Sequence, residues 1–267
     1  MKWYFINSGS NTGSYNMDFD LLLAGSCYKG EAYFRLYKWQ PYCISLGANQ
    51  SYNCVDLKKA HGDNIDVVKR PTGGRAILHA EELTYSVIMP VDYASSARNI
   101  YREINLALLK GLKEYDKKLA DVELESIQPV FSSIYKEAKG NICFAVSAKS
   151  ELKFKGKKVA GSAQRKLNNS LLQHGSILCG DFHKRIIKYL NLTSEEYPLL
   201  KSELDNNTIE LGTILNEKID YNRLADSLLL GMQNHFEIEF VSVSHPDIVT
   251  TNLPPETERL FTLKGHN

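Results

Sequence analysis

The chain has 267 residues, with 32 Lys and Arg set against 31 Asp and Glu for a net charge of +1. That length suits one large domain, or one with a small appendage. The near-neutral balance argues against a nucleic-acid partner, which needs a basic face. No apolar run reaches the length that spans a bilayer, and the N-terminal MKWYFINSGS lacks the apolar core of a signal peptide. A cytoplasmic protein with no membrane partner is the expectation. Five cysteines (Cys27, Cys43, Cys54, Cys143, Cys179) show no CxxC pair and no metal-ligand spacing, which points to free thiols and no metal site.

In chain order, Trp3 to Ile6 reads as a strand and Asn16 to Cys27 as a helix, with Asn16 as the N-cap and Gly30 beyond its end. Tyr33 to Trp39 alternates apolar and mixed positions as a strand does; Pro41 breaks it, and Tyr42 to Leu46 forms a second strand. Asn53 to Ala60 reads as a short helix capped by Asn53. Ser96 to Lys117 is the clearest helix, with Ile100, Ile104, Ala107, Leu108, Leu112 and Tyr115 on one face. Gln128 to Gly140 reads as loop. From Ile142 to Cys179 a β-meander is expected, with turns at Gly156-Lys157 and Asn168-Asn169. The remainder is helical and polar: Asp220 to Phe236, capped by Asp220, then Pro254 to Leu263. Residues 1–267 read as a single catalytic domain, within which about 181–267 could pack as a small helical subdomain.

Two stretches carry the chemistry. In VVKRPTGGRAILHAEELTYSV, Val67 to Val87, adjacent Gly73 and Gly74 are flanked by Arg70 and Arg75 and followed by His79. Glycines admit a ligand without a Cβ in the way, and arginine offers a charged fork for phosphate or carboxylate. The stretch therefore reads as a site for a small anionic or thioester-bearing ligand; the plainer alternative is a hairpin with solvated arginines. In the second stretch, Ile142 to Leu178, Cys143 precedes the lysine-bearing turn Phe154 to Lys158, the small-residue run Val159 to Gln164, and Gln173-His174-Gly175.

With RPTGGRAILH, GKKVAGSAQR and LLQHGSIL in this order and spacing, the chain resembles the lipoate and octanoate transfer branch of the biotin/lipoate protein ligase family. The resemblance runs from Trp3 to about Asn234 and is dense between residues 67 and 178. It implies that family's α/β (α+β) catalytic-domain fold, a mixed, largely antiparallel sheet flanked by helices. The strand pair Tyr33 to Trp39 and Tyr42 to Leu46 would form one wall of a narrow acyl tunnel. It assigns the catalytic roles to Cys143, as nucleophile, and Lys158, as its partner. A neighbouring ammonium raises the thiolate fraction of a thiol whose ordinary pKa is about 8.5. Substrate contacts fall to Arg70, Gly73, Gly74, Arg75, His79, Gly161, Ser162, Ala163, His174 and Gly175. Backbone N–H groups of Gly161 and Ser162 could face the acyl carbonyl, while His79 and His174 shape the pocket rather than move protons.

Cys143 together with Arg75, where the ligases of the family commonly carry a third glycine, favours a transferase, and Cys143-Phe144 looks like the branch acting from acyl-carrier protein. The resemblance thus implies octanoyl transfer from octanoyl-acyl-carrier protein, through a cysteine thioester, to the lysine of a lipoyl-domain protein such as the glycine-cleavage H protein. No cofactor is expected. The rivals are an ATP- and Mg-dependent lipoate–protein ligase, a non-catalytic acyl- or carrier-binding homologue and, more weakly, a biotin ligase. Two departures from the family pattern stand out: Lys69 where a second arginine is common, and Ala80 where an aspartate is usual, an acid that either Glu81 supplies or the site does without.

Overall fold

A computed structural model describes residues 1–91, 96–126 and 150–242. Gln128 to Gly140, Cys143 and Pro254 to Leu263 lie outside the described residues. The strands are β1 (Lys2–Asn11), β2 (Glu31–Trp39), β3 (Cys43–Leu46), β4 (Asp66–Lys69), β5 (Ile77–His79), β6 (Glu82–Pro90), β7 (Val122–Leu124), β8 (Leu152–Phe154), β9 (Lys157–Leu167), β10 (Ser170–Leu178) and β11 (Phe240–Ser242). The α-helices are α1 (Gly13–Ser26), α2 (Leu57–Gly62), α3 (Ala97–Tyr115), α4 (Glu196–Asn207), α5 (Leu211–Leu215) and α6 (Tyr221–Phe236).

Eight strands form one sheet in the order β11-β1-β2-β6-β10-β9-β8-β7, and β4-β3-β5 form a second, three-stranded sheet. In the large sheet β1 runs parallel to β11 and β2, and all other pairs are antiparallel. The mixed, largely antiparallel architecture expected from the sequence is the one observed. One face of the large sheet, with Phe34, Leu36, Leu83, Tyr85 and Ile177, packs on α3 and α6. The other face meets α1 through Tyr33, Ile88 and Leu172. Helices α3 and α6 also pack on each other, sharing Ala107, Leu108, Leu112, Leu228 and Met232 in that core.

Local sequence explains much of this. Helix α3 begins after Ser96, whose side chain accepts from the Asn99 N–H, and α6 begins after Asp220, which accepts from Asn222 and Arg223. The β9–β10 hairpin turns at Asn168-Asn169 as expected.

Several local expectations shift. Thr12, not Asn16, caps α1; Asn16 is buried and hydrogen-bonded to Arg35. Asn53 lies in a short 3-10 turn, and Asp56 caps α2. The β8–β9 turn is Lys155-Gly156, at φ +48° and +80°, the left-handed pair that a tight hairpin requires. Strands β2 and β3 do not pair: β2 sits between β1 and β6, whereas β3 lies in the small sheet. Both faces of the central stretch of β2 are covered, and even Arg35 is fully buried.

Candidate active site

The glycine-rich loop joins β4 to β5, but these strands do not form a hairpin. They flank β3 on opposite sides, parallel and antiparallel respectively, so the loop crosses over the end of β3. Gly47 lies beneath it. A Cβ on Gly47 would meet the Gly74 carbonyl oxygen at 1.9 Å, and Gly74 itself has φ +90°, a conformation open mainly to glycine.

Arg70 braces this loop. Its Nη1 donates to Ser45 O (2.9 Å) and Ser45 Oγ (3.1 Å), its Nη2 to Gly73 O (2.9 Å) and Arg75 O (2.7 Å), and its Nε to Gly73 O (3.2 Å). A guanidinium has five N–H donors, and these contacts take all of them. The fork thus engages the Ser45 carbonyl and hydroxyl on β3 and the Gly73 and Arg75 carbonyls of its own loop, where the sequence reading offered it to an anion.

The loop borders a narrow cavity of about 30 Å³. Its floor is the α1-facing side of the large sheet. Strand register aligns Tyr37, Thr84, Ser176 and Gly161 in one row across β2, β6, β10 and β9, with Arg35, Ser86, His174 and Ala163 in the next. Of these, Tyr37, Thr84, Ser176, Gly161, His174 and Ala163 line the cavity. Ser45, Ile77 and His79 of the small sheet, with Arg70, Trp39 and Met17, complete the wall together with Ser162 and Gly175. Gly73 and Gly74 are exposed and Arg75 is buried; none of the three lines the cavity. A wider surface groove by Tyr28 and Met89 carries none of the motif residues.

Each lining histidine is held at both nitrogens. His79 places Nδ1 2.7 Å from Glu82 Oε1 and Nε2 2.7 Å from Ser45 Oγ, and its ring stacks on Trp39 at 4.1 Å. Thr84 and Ser176 also donate to Glu82 Oε1. Burial raises the Glu82 carboxyl, but His79, Thr84 and Ser176 more than offset this and its pKa is lowered. The acid that serves His79 is therefore Glu82. Glu81 is exposed and accepts from the Phe182 N–H instead.

His174 faces Thr72 Oγ1 through Nε2 (2.6 Å) and Asp20 Oδ2 through Nδ1 (3.5 Å). Burial lowers its pKa despite Asp20. Asp20 is fully buried; burial alone would raise its carboxyl, but Arg35, whose Nη1 lies 2.8 Å away, and His174 hold it below the usual range. Asp20 also accepts from Ser86 and Tyr37.

Lys158 stands beside the cavity rather than in its lining. It is only 1% exposed and its Nζ lies 2.9 Å from Glu151 Oε2, so it is not a solvated turn lysine. Lys155 is exposed, and Lys157 Nζ donates to Asp205 O. The other Glu151 oxygen accepts the Ser162 backbone N–H at 3.2 Å. That N–H, expected to face an acyl carbonyl, is taken here by a carboxylate. The Ser162 side chain points to the α3 side, bonding Tyr85 Oη (2.6 Å) and Asn105 Oδ1 (3.0 Å).

Cys143 lies outside the described residues. The other four cysteines are free, and burial first of all raises the pKa of each thiol: to about 12 for Cys27 and Cys179, well above the ordinary range for Cys43, and upward for Cys54. Thiols of this kind are poor nucleophiles. Among the described residues no group of His, Cys, Asp and Glu is arranged to hold a metal, and no helix is long and apolar enough to cross a membrane.

Asp20, Glu82, Thr72 and Glu151 were not legible as site residues. Each acts through a partner distant in sequence or placed by a turn; only the closeness of Glu82 to His79 offered a signal.

The geometry has counterparts in known proteins. Residues 12–233 match the family model described as the lipoyl protein ligase A/B catalytic domain. The octanoyltransferase LipM of Clostridioides difficile is 35% identical over 90% of this chain and 89% of its own. LipM of Bacillus subtilis is 31% identical over 88% of this chain and 85% of its own. Among solved structures, the bi-partite lipoate protein ligase of Thermoplasma acidophilum superposes with a TM-score of 0.72 at 16% identity, covering 98% of this chain and 91% of that one. A lipoate-protein ligase A bound with ATP gives 0.72 at 16%, covering 98% and 94%. The chain belongs to the lipoyl protein ligase A/B catalytic-domain family.

Proposed function

We propose that this chain, an octanoyltransferase of lipoate assembly like its curated relatives, takes octanoate from octanoyl-acyl-carrier protein onto Cys143 and passes it to the lysine of a lipoyl-domain protein such as the glycine-cleavage H protein. The Cys143 thiolate attacks the donor thioester, and the carrier thiolate leaves. A deprotonated lysine amine of the acceptor then attacks the acyl-enzyme, an amide forms, and the Cys143 sulfur leaves, taking up the proton that the amine nitrogen gives up. Exchange of one thioester for another is close to thermoneutral, and amide formation from a thioester is downhill, so neither ATP nor a cofactor is required.

The observation that carries this reading is the narrow cavity laid across four strands and ending beside the buried Lys158–Glu151 pair. The Lys158 ammonium would favour the thiolate and the oxyanion of each tetrahedral intermediate. Arg70, Gly73, Gly74 and Arg75 would set the position of the loop over the acyl chain. His79, His174, Gly161, Ser162, Ala163 and Gly175 would contact it. That burial raises the pKa of the four described cysteines supports Cys143, rather than one of them, as the nucleophile.

Intact-protein mass spectrometry after mixing the chain with octanoyl-acyl-carrier protein, without ATP, tests this. One added octanoyl group is expected, lost in Cys143→Ala and removed by a lipoyl-domain acceptor. Acceptor modification only from free acid with Mg-ATP would instead identify a ligase. Acyl binding with no adduct and no transfer under either condition would identify a non-catalytic homologue.

A further inference from the structure

We propose that Met17, on α1, sets the length of acyl chain this enzyme accepts; the proposal rests on the transfer reading above. The cavity has a direction. Gly161 and Ser162 mark one end, where Ser162 shares the Glu151 carboxylate with Lys158; Tyr37, Trp39 and Met17 mark the other. Between them lie the strands β9, β10, β6 and β2, three spacings or about 14 Å. An extended backbone advances about 3.3–3.6 Å for every three bonds, so the seven carbon–carbon bonds of an octanoyl chain span about 8 Å. A chain with its carbonyl at the β9 edge therefore ends about 6 Å short of β2, and the lining side chains of Tyr37, Trp39 and Met17 are what stand beyond its terminal methyl.

Two of those side chains are fixed. The Tyr37 hydroxyl donates to Asp20 Oδ2 at 3.2 Å, and the ring lies 3.9 Å from the Arg35 guanidinium. Trp39 Nε1 donates to Thr84 Oγ1 at 2.7 Å, and its ring stacks on His79. Among the described residues Met17 has no such anchor. It packs with Tyr37, Trp39 and Cys43 and is 4% exposed. A thioether with three rotatable bonds fills such a gap adaptably.

The helix that carries Met17 is itself clamped. Asn16 and Asp20 bind Arg35. One turn before Met17, Gly13 sits so close to the small sheet that a Cβ there would meet Cys43 Sγ at 2.6 Å and Val68 at 2.8 Å. The end of the cavity is thus a fixed frame closed by one pliable side chain, and its depth follows the size of residue 17.

The test measures acceptor modification from hexanoyl-, octanoyl-, decanoyl- and dodecanoyl-acyl-carrier protein by wild type, Met17→Ala, Met17→Leu and Met17→Phe. One methylene in an apolar pocket is worth about 10- to 200-fold in selectivity. Met17→Ala is expected to raise the decanoyl-to-octanoyl ratio of kcat/KM at least about tenfold. Met17→Phe is expected to shift preference toward hexanoyl, and Met17→Leu to keep the octanoyl optimum. Folded Ala and Phe variants that both keep the wild-type chain-length profile overturn the assignment of Met17. A wild type that transfers no acyl group overturns the transfer reading instead. In that case calorimetry of the C6 to C12 free acids on the same proteins decides the Met17 assignment: a length optimum that moves with residue 17 supports it, and an unmoved one rejects it.

Discussion

Glu151 Oε2 lies 2.9 Å from Lys158 Nζ, with both side chains almost completely buried, while its other oxygen accepts the Ser162 N–H. One carboxylate thus positions the candidate catalytic lysine and a backbone donor of the cavity wall together. Breaking a buried pair by removing one partner costs about 3–5 kcal/mol, much of it from the charge left behind. Glu151→Ala should accordingly lower stability in urea by up to about 3–5 kcal/mol. Glu151→Gln keeps a hydrogen-bonding group and should cost less. In Glu151→Gln, acyl-enzyme formation should slow with little change in KM for the donor. A variant that changes KM alone would count against a link between Glu151 and the chemical step.

Gly47 has no room for a side chain beneath the glycine loop, since its Cβ would meet Gly74 O at 1.9 Å. Gly47→Ala must displace that loop. Overpacking of this kind costs about 1–3 kcal/mol. Because Arg70 ties the loop to Ser45, a cavity-lining residue, the shift should also raise KM for the acyl donor. Steady-state kinetics with thermal unfolding checks both parts. By contrast, Gly73 has open space around its Cβ position, and Gly73→Ala should leave stability within about 0.5 kcal/mol.

The cysteines should separate under alkylation. Cys27, Cys43 and Cys179 are buried with raised pKa values, and Cys54 is partly exposed but also raised. Brief iodoacetamide treatment of the native protein near neutral pH should leave the first three unmodified and label Cys54 slowly, because thiolate is the reactive form. Peptide mapping reads the outcome. Fast labelling of Cys43 or Cys179 would contradict the packing described.

Stability should fall as the medium is acidified below neutrality. Burial holds the pKa of His174 and His183 below the ordinary 6.5, so between the folded and unfolded values the unfolded chain binds more protons. Stability then rises with pH through that window. It is fully present above 6.5 and lost as pH falls toward the folded values. Asp20 and Glu82, also lowered, add a second loss at more acidic pH. Urea midpoints should drop from about pH 7.5 to about pH 5.5, and His174→Gln should flatten that slope.

Part of this molecule is decided by residues near one another in the chain. The apolar face of α3 repeats with the helical period, Asp220 caps α6, and Asn168-Asn169 turns a hairpin. These follow from local geometry, which a run of residues carries within itself. The order of the motifs around Gly73-Gly74, Lys158 and His174 was enough for the resemblance that the family match supports.

Tertiary structure alone decided what those motifs touch. Whether β4 and β5 pair with each other or flank β3 depends on a partner strand outside the motif. Arg70 looked like an anion fork until the fold supplied three carbonyls and the Ser45 hydroxyl for its donors. Glu151, Asp20 and Met17 carry no local mark, because their roles arise from register across four strands and from one helix laid over them. Side-chain period and capping act over a few residues. Which face meets which is settled only when distant strands align, and that alignment made an alternating strand and a helix methionine into parts of one cavity and set Glu151 against its wall at Ser162.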